Sequence, residues 1–254
     1  MFIDSHCHLY KEYYEDLYSV LDNAFRNNVV KYINCGCDRE SNKEVIDTIN
    51  RYDFVYGAIG IHPENVLKYS KEDILFIKNN LEHKKVLAIG EIGLDYHYTK
   101  EYKVEQKELF ETQLQIAEQY DIPVIIHSRD ATNDTIEILK KFHTKGIIHS
   151  FSGSFETASE YIKMGYLIGI NGVVTFKNAN LKEVVKKLPL ECIVLETDSP
   201  YLTPEPFRGM KNNPTHIIDI AKYICELKNI SMEELANITN QNLAKIFNNN
   251  LIND

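Results

Sequence analysis

Short β-branched runs alternate with longer amphipathic stretches along this 254-residue chain. Eight runs read as buried strands, because each is short, rich in Val and Ile, and bounded by polar residues or glycine. They are Met1–Ile3, Lys31–Cys35, Val55–Ile61, Val86–Ile92, Pro123–Ile126, Gly146–Ile148, Leu167–Ile170 and Cys192–Leu195. The intervening segments read as helices. Glu105–Tyr120 sets Leu109, Phe110, Leu114 and Ala117 at helical spacing, and capping signatures open two further helices at Ser70-Lys71-Glu72-Asp73 and Ser231-Met232-Glu233-Glu234. Eight strand–helix alternations over this length predict an α/β fold, a (β/α)8 TIM barrel spanning 1–254 as one domain. A doubly wound open sheet is the competing arrangement. It usually carries a glycine-rich loop after its first strand, where this chain has His6-Cys7-His8-Leu9-Tyr10.

Polar residues cluster where these strands end. The first leads into His6 and His8, and the third ends in Gly60-Ile61-His62-Pro63. The fourth carries Glu91, the fifth runs into His127, the sixth ends at His149, and the eighth delivers Glu196 and Asp198. In a barrel all C-terminal strand ends open onto one face. Residues two apart on a strand share a side, so Asp4, His6 and His8 face one way while Cys7 faces the helical layer. Any one of these histidines alone is unremarkable as a core or surface residue. Glu91 inside an apolar run is harder to dismiss, because an unpaired carboxylate is costly to bury.

Imidazole and carboxylate without thiolate suit zinc, manganese, cobalt or ferrous iron. Six such groups exceed the needs of one catalytic ion. Shared between two ions about 3.5–4 Å apart, they suffice if one carboxylate bridges, and such pairs activate water and clamp phosphoryl or acyl oxygens. A hydrolase is expected.

Composition narrows the setting. Hydrophobic residues at 44% and charged residues at 26% match ordinary globular proteins, and no apolar run reaches membrane-spanning length. No signal peptide is evident, and five cysteines without a pairing pattern point to free thiols, hence a cytoplasmic location. Cys35 and Cys37 share a strand face and read as small buried hydrophobes. A net charge of −9 argues against broad adhesion to nucleic acid but leaves room for local binding at a metal-bearing site. Neither a membrane nor an obligate protein partner is indicated.

The motifs FIDSHCHL, GIHPE, AIGEIGLDYHY, PVIIHSRDA, IIHSFSG and LETDSPYLTPE, in this order along nearly the whole chain, closely resemble the TatD family of metal-dependent hydrolases. The resemblance implies a (β/α)8 barrel with deoxyribonuclease activity and DNA as substrate. It implies two divalent ions (zinc, manganese or magnesium), one held by His6, His8, Glu91 and Asp198, the other by Glu91, His127 and His149. Glu91 would bridge, and Asp198 would act as acid/base toward the water attacking phosphorus. The same ligand set also serves an esterase or amidase acting on a small carbonyl compound or aminoacyl-tRNA. A closed apolar pocket would favour that reading, an open groove with Arg129 and Arg208 the phosphodiester. A metal-dependent binding scaffold is the non-enzymatic reading, and it leaves Asp198 superfluous.

Several residues have two readings. Glu196 and Asp4 are either partners of ligating imidazoles or structural carboxylates. His62 either contacts substrate at the mouth or shapes a turn, and Asp95 serves either its loop or the substrate. Arg129 and Arg208, with Lys177 as a weaker third, either hold phosphate or form rim ion pairs. Tyr96, Tyr98 and Tyr201 either stack on bases or pack. One departure is Asn213 in the stretch Arg208–Pro214, where the family commonly has Glu. It leaves the ligand set intact but bears on loop geometry or substrate preference.

Overall fold

The computed structural model describes residues 1–247. Its eight strands are β1 (Phe2–Cys7), β2 (Val29–Cys35), β3 (Val55–Ile59), β4 (Val86–Asp95), β5 (Val124–Arg129), β6 (Gly146–Ile148), β7 (Tyr166–Ile170) and β8 (Ile193–Leu195). They pair in parallel in chain order. The helices between them are α1 (Leu17–Arg26), α2 (Arg39–Arg51), α3 (Lys71–Asn80), α4 (Lys103–Tyr120), α5 (Thr132–Leu139), α6 (Phe155–Lys163) and α7 (Leu181–Lys187). After β8 come α8 (Ile217–Lys228) and α9 (Met232–Ile246). A parallel bridge between Cys7 and Ser199 brings the last strand back to the first. His8 N donates to Ser199 O at 2.8 Å and Asp198 N to His6 O at 3.0 Å across that seam. This is the (β/α)8 barrel the alternation predicts.

The caps behave as the sequence suggests. Ser70 and Asp73 exchange hydrogen bonds at the start of α3, and Ser231 Oγ accepts from Glu234 N at 3.1 Å at the start of α9. Strand lengths differ from the apolar runs. β1 continues to Cys7, β4 to Asp95 and β5 to Arg129, with Gly93, Leu94 and Asp95 paired to His127, Ser128 and Arg129. Apolar character ends where the barrel opens to its cleft, but the backbone ladder does not. β3 does the opposite and stops at Ile59. Beyond it side chains replace the ladder: Gly60 N donates to Asn42 Oδ1 at 3.0 Å and Ile61 N to Gln113 Oε1 at 2.8 Å.

The barrel interior divides along its axis. Toward the N-terminal strand ends Ile3, Ile33, Leu87, Ile125, Ile147 and Val194 pack with Leu243, Ile246 and Phe247 at the end of α9. Asn242 fastens that helix, donating to Leu190 O at 2.7 Å and Ile193 O at 2.8 Å. Toward the C-terminal ends the interior is polar and leads into a cleft of about 930 Å³.

Candidate metal centre

β1 supplies two imidazoles. His6 and His8 are 0% and 5% exposed, and their Nε2 atoms lie 3.3 Å apart. His8 Nδ1 donates to Cys35 O at 3.0 Å, which leaves the lone pair on Nε2, facing the cleft. Strict alternation fails upstream. The β1–β2 register shifts at Phe2/Ile3 and again between Asp4 and Cys7. Asp4 accordingly reaches no ring: its carboxylate accepts from Thr197 Oγ1 at 2.5 Å, Thr197 N at 2.9 Å and His6 N at 3.3 Å. Burial pushes its pKa up to about 8. It ties β1 to the chain leaving β8 and holds the His6 backbone.

β4 and β5 supply the centre of the cluster. Glu91, 4% exposed, has Oε1 2.8 Å from His127 Nδ1, 3.6 Å from His62 Nε2 and 3.7 Å from His149 Nε2. Its Oε2 lies 3.6 Å from His6 Nε2 and 4.0 Å from His8 Nε2. Burial opposes its charge, but the hydrogen bond from His127 and the imidazoles around it outweigh that and hold the carboxyl well below its usual range. Gly93 permits this approach of β4 to β5. Its φ is +143°, and a Cβ there would sit 2.0 Å from His127 O.

β6 and β8 close the ring. His149 stacks on His6 with centroids 3.5 Å apart, and its Nδ1 faces Glu196 Oε1 across 3.1 Å. Glu196 Oε1 also accepts from Ser150 N at 2.6 Å, and Gly169 makes room for it, since a Cβ there would meet Oε2 at 2.4 Å. Asp198 has a φ of +55°, which turns its side chain back over the barrel mouth. Its Oδ1 lies 3.5 Å from His8 Nε2, 3.6 Å from His149 Nε2 and 3.8 Å from His6 Nε2.

These spacings fit a divalent cation. Hydrogen-bonded pairs close to about 2.7–3.2 Å. His6, His8 and Asp198 Oδ1 instead stand 3.3–3.8 Å apart, and Glu91 Oε2 lies 3.6 Å from His6 Nε2 and 4.0 Å from His8 Nε2. Ligands bound at about 2.0 Å in a tetrahedron lie about 3.3 Å from one another. The field agrees with the spacing. Burial works against charge on both His127 and His149, yet Asp95 and Glu91 lift the first to about 9, and Glu196, Asp198 and Glu91 the second to about 9. His6, His8 and Asp198 form one ligand-spaced group, and His6, His149 and Glu196 another.

Three residues have closer roles than their sequence context suggests. His62 forms a ligand-spaced group with Glu91 and His127. Burial and His127 beside it depress its pKa to about 3, and its Nδ1 accepts from Glu64 N at 3.3 Å, as the turn reading expects, which puts the ring proton on Nε2 facing Glu91 Oε1. Asp95 Oδ2 lies 2.9 Å from His127 Nε2, while its Oδ1 accepts from His97 N and Tyr98 N at 2.8 and 2.9 Å. With β4 extended to Asp95, Glu91 and Asp95 share a strand face, a parity hidden when the strand is ended at Ile92. Cys37 lines the cleft rather than the core, with Sγ 3.8 Å from Glu91 Oε2.

The rim separates the remaining candidates. Arg129 lines the cleft with its guanidinium 4.7 Å from the Tyr98 ring centre. Arg208 does not; it covers Phe176 at 3.8 Å in a side hollow shared with Lys177 and Glu205. Tyr98 and Tyr201 are 60% and 50% exposed and line the cleft, whereas Tyr96 is buried with its hydroxyl donating to Asp134 at 2.6 Å. Asn213 caps a short turn, accepting from Thr215 N at 3.0 Å, and does not line the cleft.

The fold and this polar mouth define a metal-dependent hydrolase barrel. The chain matches the TatD related DNase family over residues 3–248, and it belongs to that family. An uncharacterized metal-dependent hydrolase of Bacillus subtilis, YabD, is 44% identical over 239 residues, covering 92% of this chain and 94% of the relative. Escherichia coli YcfH, named likewise, is 36% identical over 240 residues, covering 91% and 90%. The crystal structure of E. coli YjjV, a TatD homologue, superposes with a TM-score of 0.92 at 33% identity, covering 97% of this chain and 98% of that one. No helix among the described residues is long and apolar enough to cross a membrane.

Proposed function

We propose that this protein hydrolyses phosphodiester bonds, with DNA as its substrate and two divalent ions at the centre. One observation carries the reading: the two oxygens of Glu91 face different sets of imidazoles, Oε2 toward His6 and His8, Oε1 toward His127, His149 and His62. When bound, such a pair of ions supplies Lewis acidity to the attacking water and to the phosphoryl oxygens. Asp198 stands at the cleft floor with its side chain 12% exposed, and takes the proton of the attacking water at Oδ2. His149 and His127 are held in one orientation by Glu196 and Asp95, so the centre needs little rearrangement when substrate arrives. Arg129 and His62 meet the phosphate oxygens at the mouth, and Tyr98 and Tyr201 offer stacking faces beside them. Arg208, turned into its own hollow, serves a phosphate farther along the strand.

The cleft supports a phosphodiester over a small carbonyl substrate. Arg129 lies on its wall with the exposed rings of Tyr98 and Tyr201 at the mouth, as a nucleic-acid strand requires, beside the apolar Val173 and Leu202 and the carboxylates of Glu12, Glu40 and Glu64. The deciding experiment sets metal-stripped protein, reloaded with magnesium, manganese or zinc, against single-stranded DNA, duplex DNA, RNA and ester substrates. DNA cleavage that chelator abolishes is expected. Ester hydrolysis with intact nucleic acid under every metal overturns the assignment.

A further inference from the structure

The centre has a sulfur donor at its edge. Cys37 sits two residues past the end of β2, on a segment pinned from three sides. Its amide donates to Ser41 Oγ at 2.9 Å, and its carbonyl accepts from His62 N at 2.8 Å and Asn65 Nδ2 at 3.0 Å. The side chain is therefore delivered in one place. His8, Cys37 and Glu91 each offer a ligand atom, these atoms all lie within 4.8 Å of one another, and Cys37 Sγ stands 3.8 Å from Glu91 Oε2.

Glu91 Oε2 makes an independent demand. It belongs to a side chain only 4% exposed, yet among the described residues it accepts no hydrogen bond from nitrogen or oxygen. Its nearest nitrogens are at 3.6 and 4.0 Å, and its one weak donor is Cys37 Sγ at 3.8 Å. A buried carboxylate oxygen so poorly served calls for a cation. Metal bonds of about 2.3 Å to sulfur and about 2.0 Å to oxygen put such a pair about 3.5 Å apart at the tetrahedral angle, close to the 3.8 Å seen here.

We propose that Cys37 Sγ is a ligand at the metal position of His8 and Glu91, making this centre selective for thiophilic divalent ions. Zinc and cobalt would be held in preference to magnesium and manganese, because thiolate favours softer ions. The inference rests on the metal-centre reading above. On coordination the S–H bond gives way to a sulfur–metal bond, and the proton leaves to water through the cleft that Cys37 lines. The other cysteines serve as controls. Cys7 and Cys35 are buried with their thiols directed at Ile33 O, and neither Cys192 nor Cys225 lines the cleft.

The test is a cobalt titration of the metal-stripped full-length protein and of Cys37→Ser, followed by absorption spectroscopy. Wild type is expected to show visible ligand-field bands together with a near-ultraviolet sulfur-to-cobalt charge-transfer band. Cys37→Ser keeps the former and loses the latter, and its preference for zinc over manganese falls by roughly 10–100-fold, the size associated with removing a supporting group at a metal site. Alkylation of wild type, read by mass spectrometry, is independent of any variant: zinc should protect Cys37 and leave Cys192 reactive. Visible bands without the sulfur band, or zinc that leaves Cys37 alkylation unchanged, overturn the inference while sparing the metal centre. Cobalt bound by neither protein overturns the metal centre and this proposal with it.

Discussion

The two ends of the barrel interior are built from the same strands and opposite chemistry. At the N-terminal end Ile3, Leu87, Ile125 and Val194 meet Leu243 and Phe247 of the closing helix segment, and the contacts are non-directional. At the C-terminal end the same strands β1, β4 and β5 present His6, Glu91 and His127, and the chain past β8 presents Asp198. Burying charge and imidazole is costly, and at this end the cost is offset only by groups meeting across strands, as Glu91 and Asp95 meet His127 at 2.8 and 2.9 Å. One end stabilises the barrel so that the other can hold an arrangement that would not persist alone.

The strongest way to break this contrast is at the mouth. Glu91→Ala is expected to abolish hydrolysis and reduce bound metal, measured by elemental analysis, to near zero, with the circular dichroism spectrum unchanged. Asp198→Asn is expected to lower kcat by about 10²–10⁴-fold, the usual weight of a general acid–base group. Metal bound as in wild type with near-normal turnover would remove Asp198 from the mechanism.

The closing end should respond in the other currency. Leu243→Ala, at a side chain 1% exposed, is expected to cost about 2–5 kcal/mol in urea unfolding while metal content per folded molecule stays constant. Loss of metal at unchanged stability would show that the two ends are not separable. Asp95→Asn probes the support of the site. It leaves the fold intact and weakens metal binding by about 10–100-fold, because His127 Nε2 loses its charged partner at 2.9 Å. The smallest effect is expected at Arg129→Ala, which raises KM for DNA several-fold with little change in kcat, a contact made equally before and during reaction.

Legibility followed the same division. The barrel was readable because each buried strand is a local apolar run and the rhythm of runs is one-dimensional. His6, His8, Glu91, His127, His149 and Asp198 were readable because a parallel barrel sends every C-terminal strand end to one face. Asp95 was readable as a residue serving its own loop, as its bonds from His97 N and Tyr98 N show, but not as the partner of His127, since the apolar run ends at Ile92 while the ladder continues to Asp95. Asp4 was readable as polar but not in its role, because the irregular β1–β2 register turns it to Thr197 instead of a ring. Arg208 shares the mouth's loops in sequence but stacks on Phe176 in its own hollow, a matter of loop path that composition does not encode.

What the sequence determined by itself was the architecture and the set of donors: periodicity is local, and a carboxylate at a strand end is visible one residue at a time. What only the tertiary structure decided was which atoms meet. The assignment of Glu91 Oε1 and Oε2 to separate imidazoles, the approach of His62, and the position of Cys37 against Glu91 all depend on distances between side chains from different strands. Those distances are set by barrel closure and register, which no single segment contains.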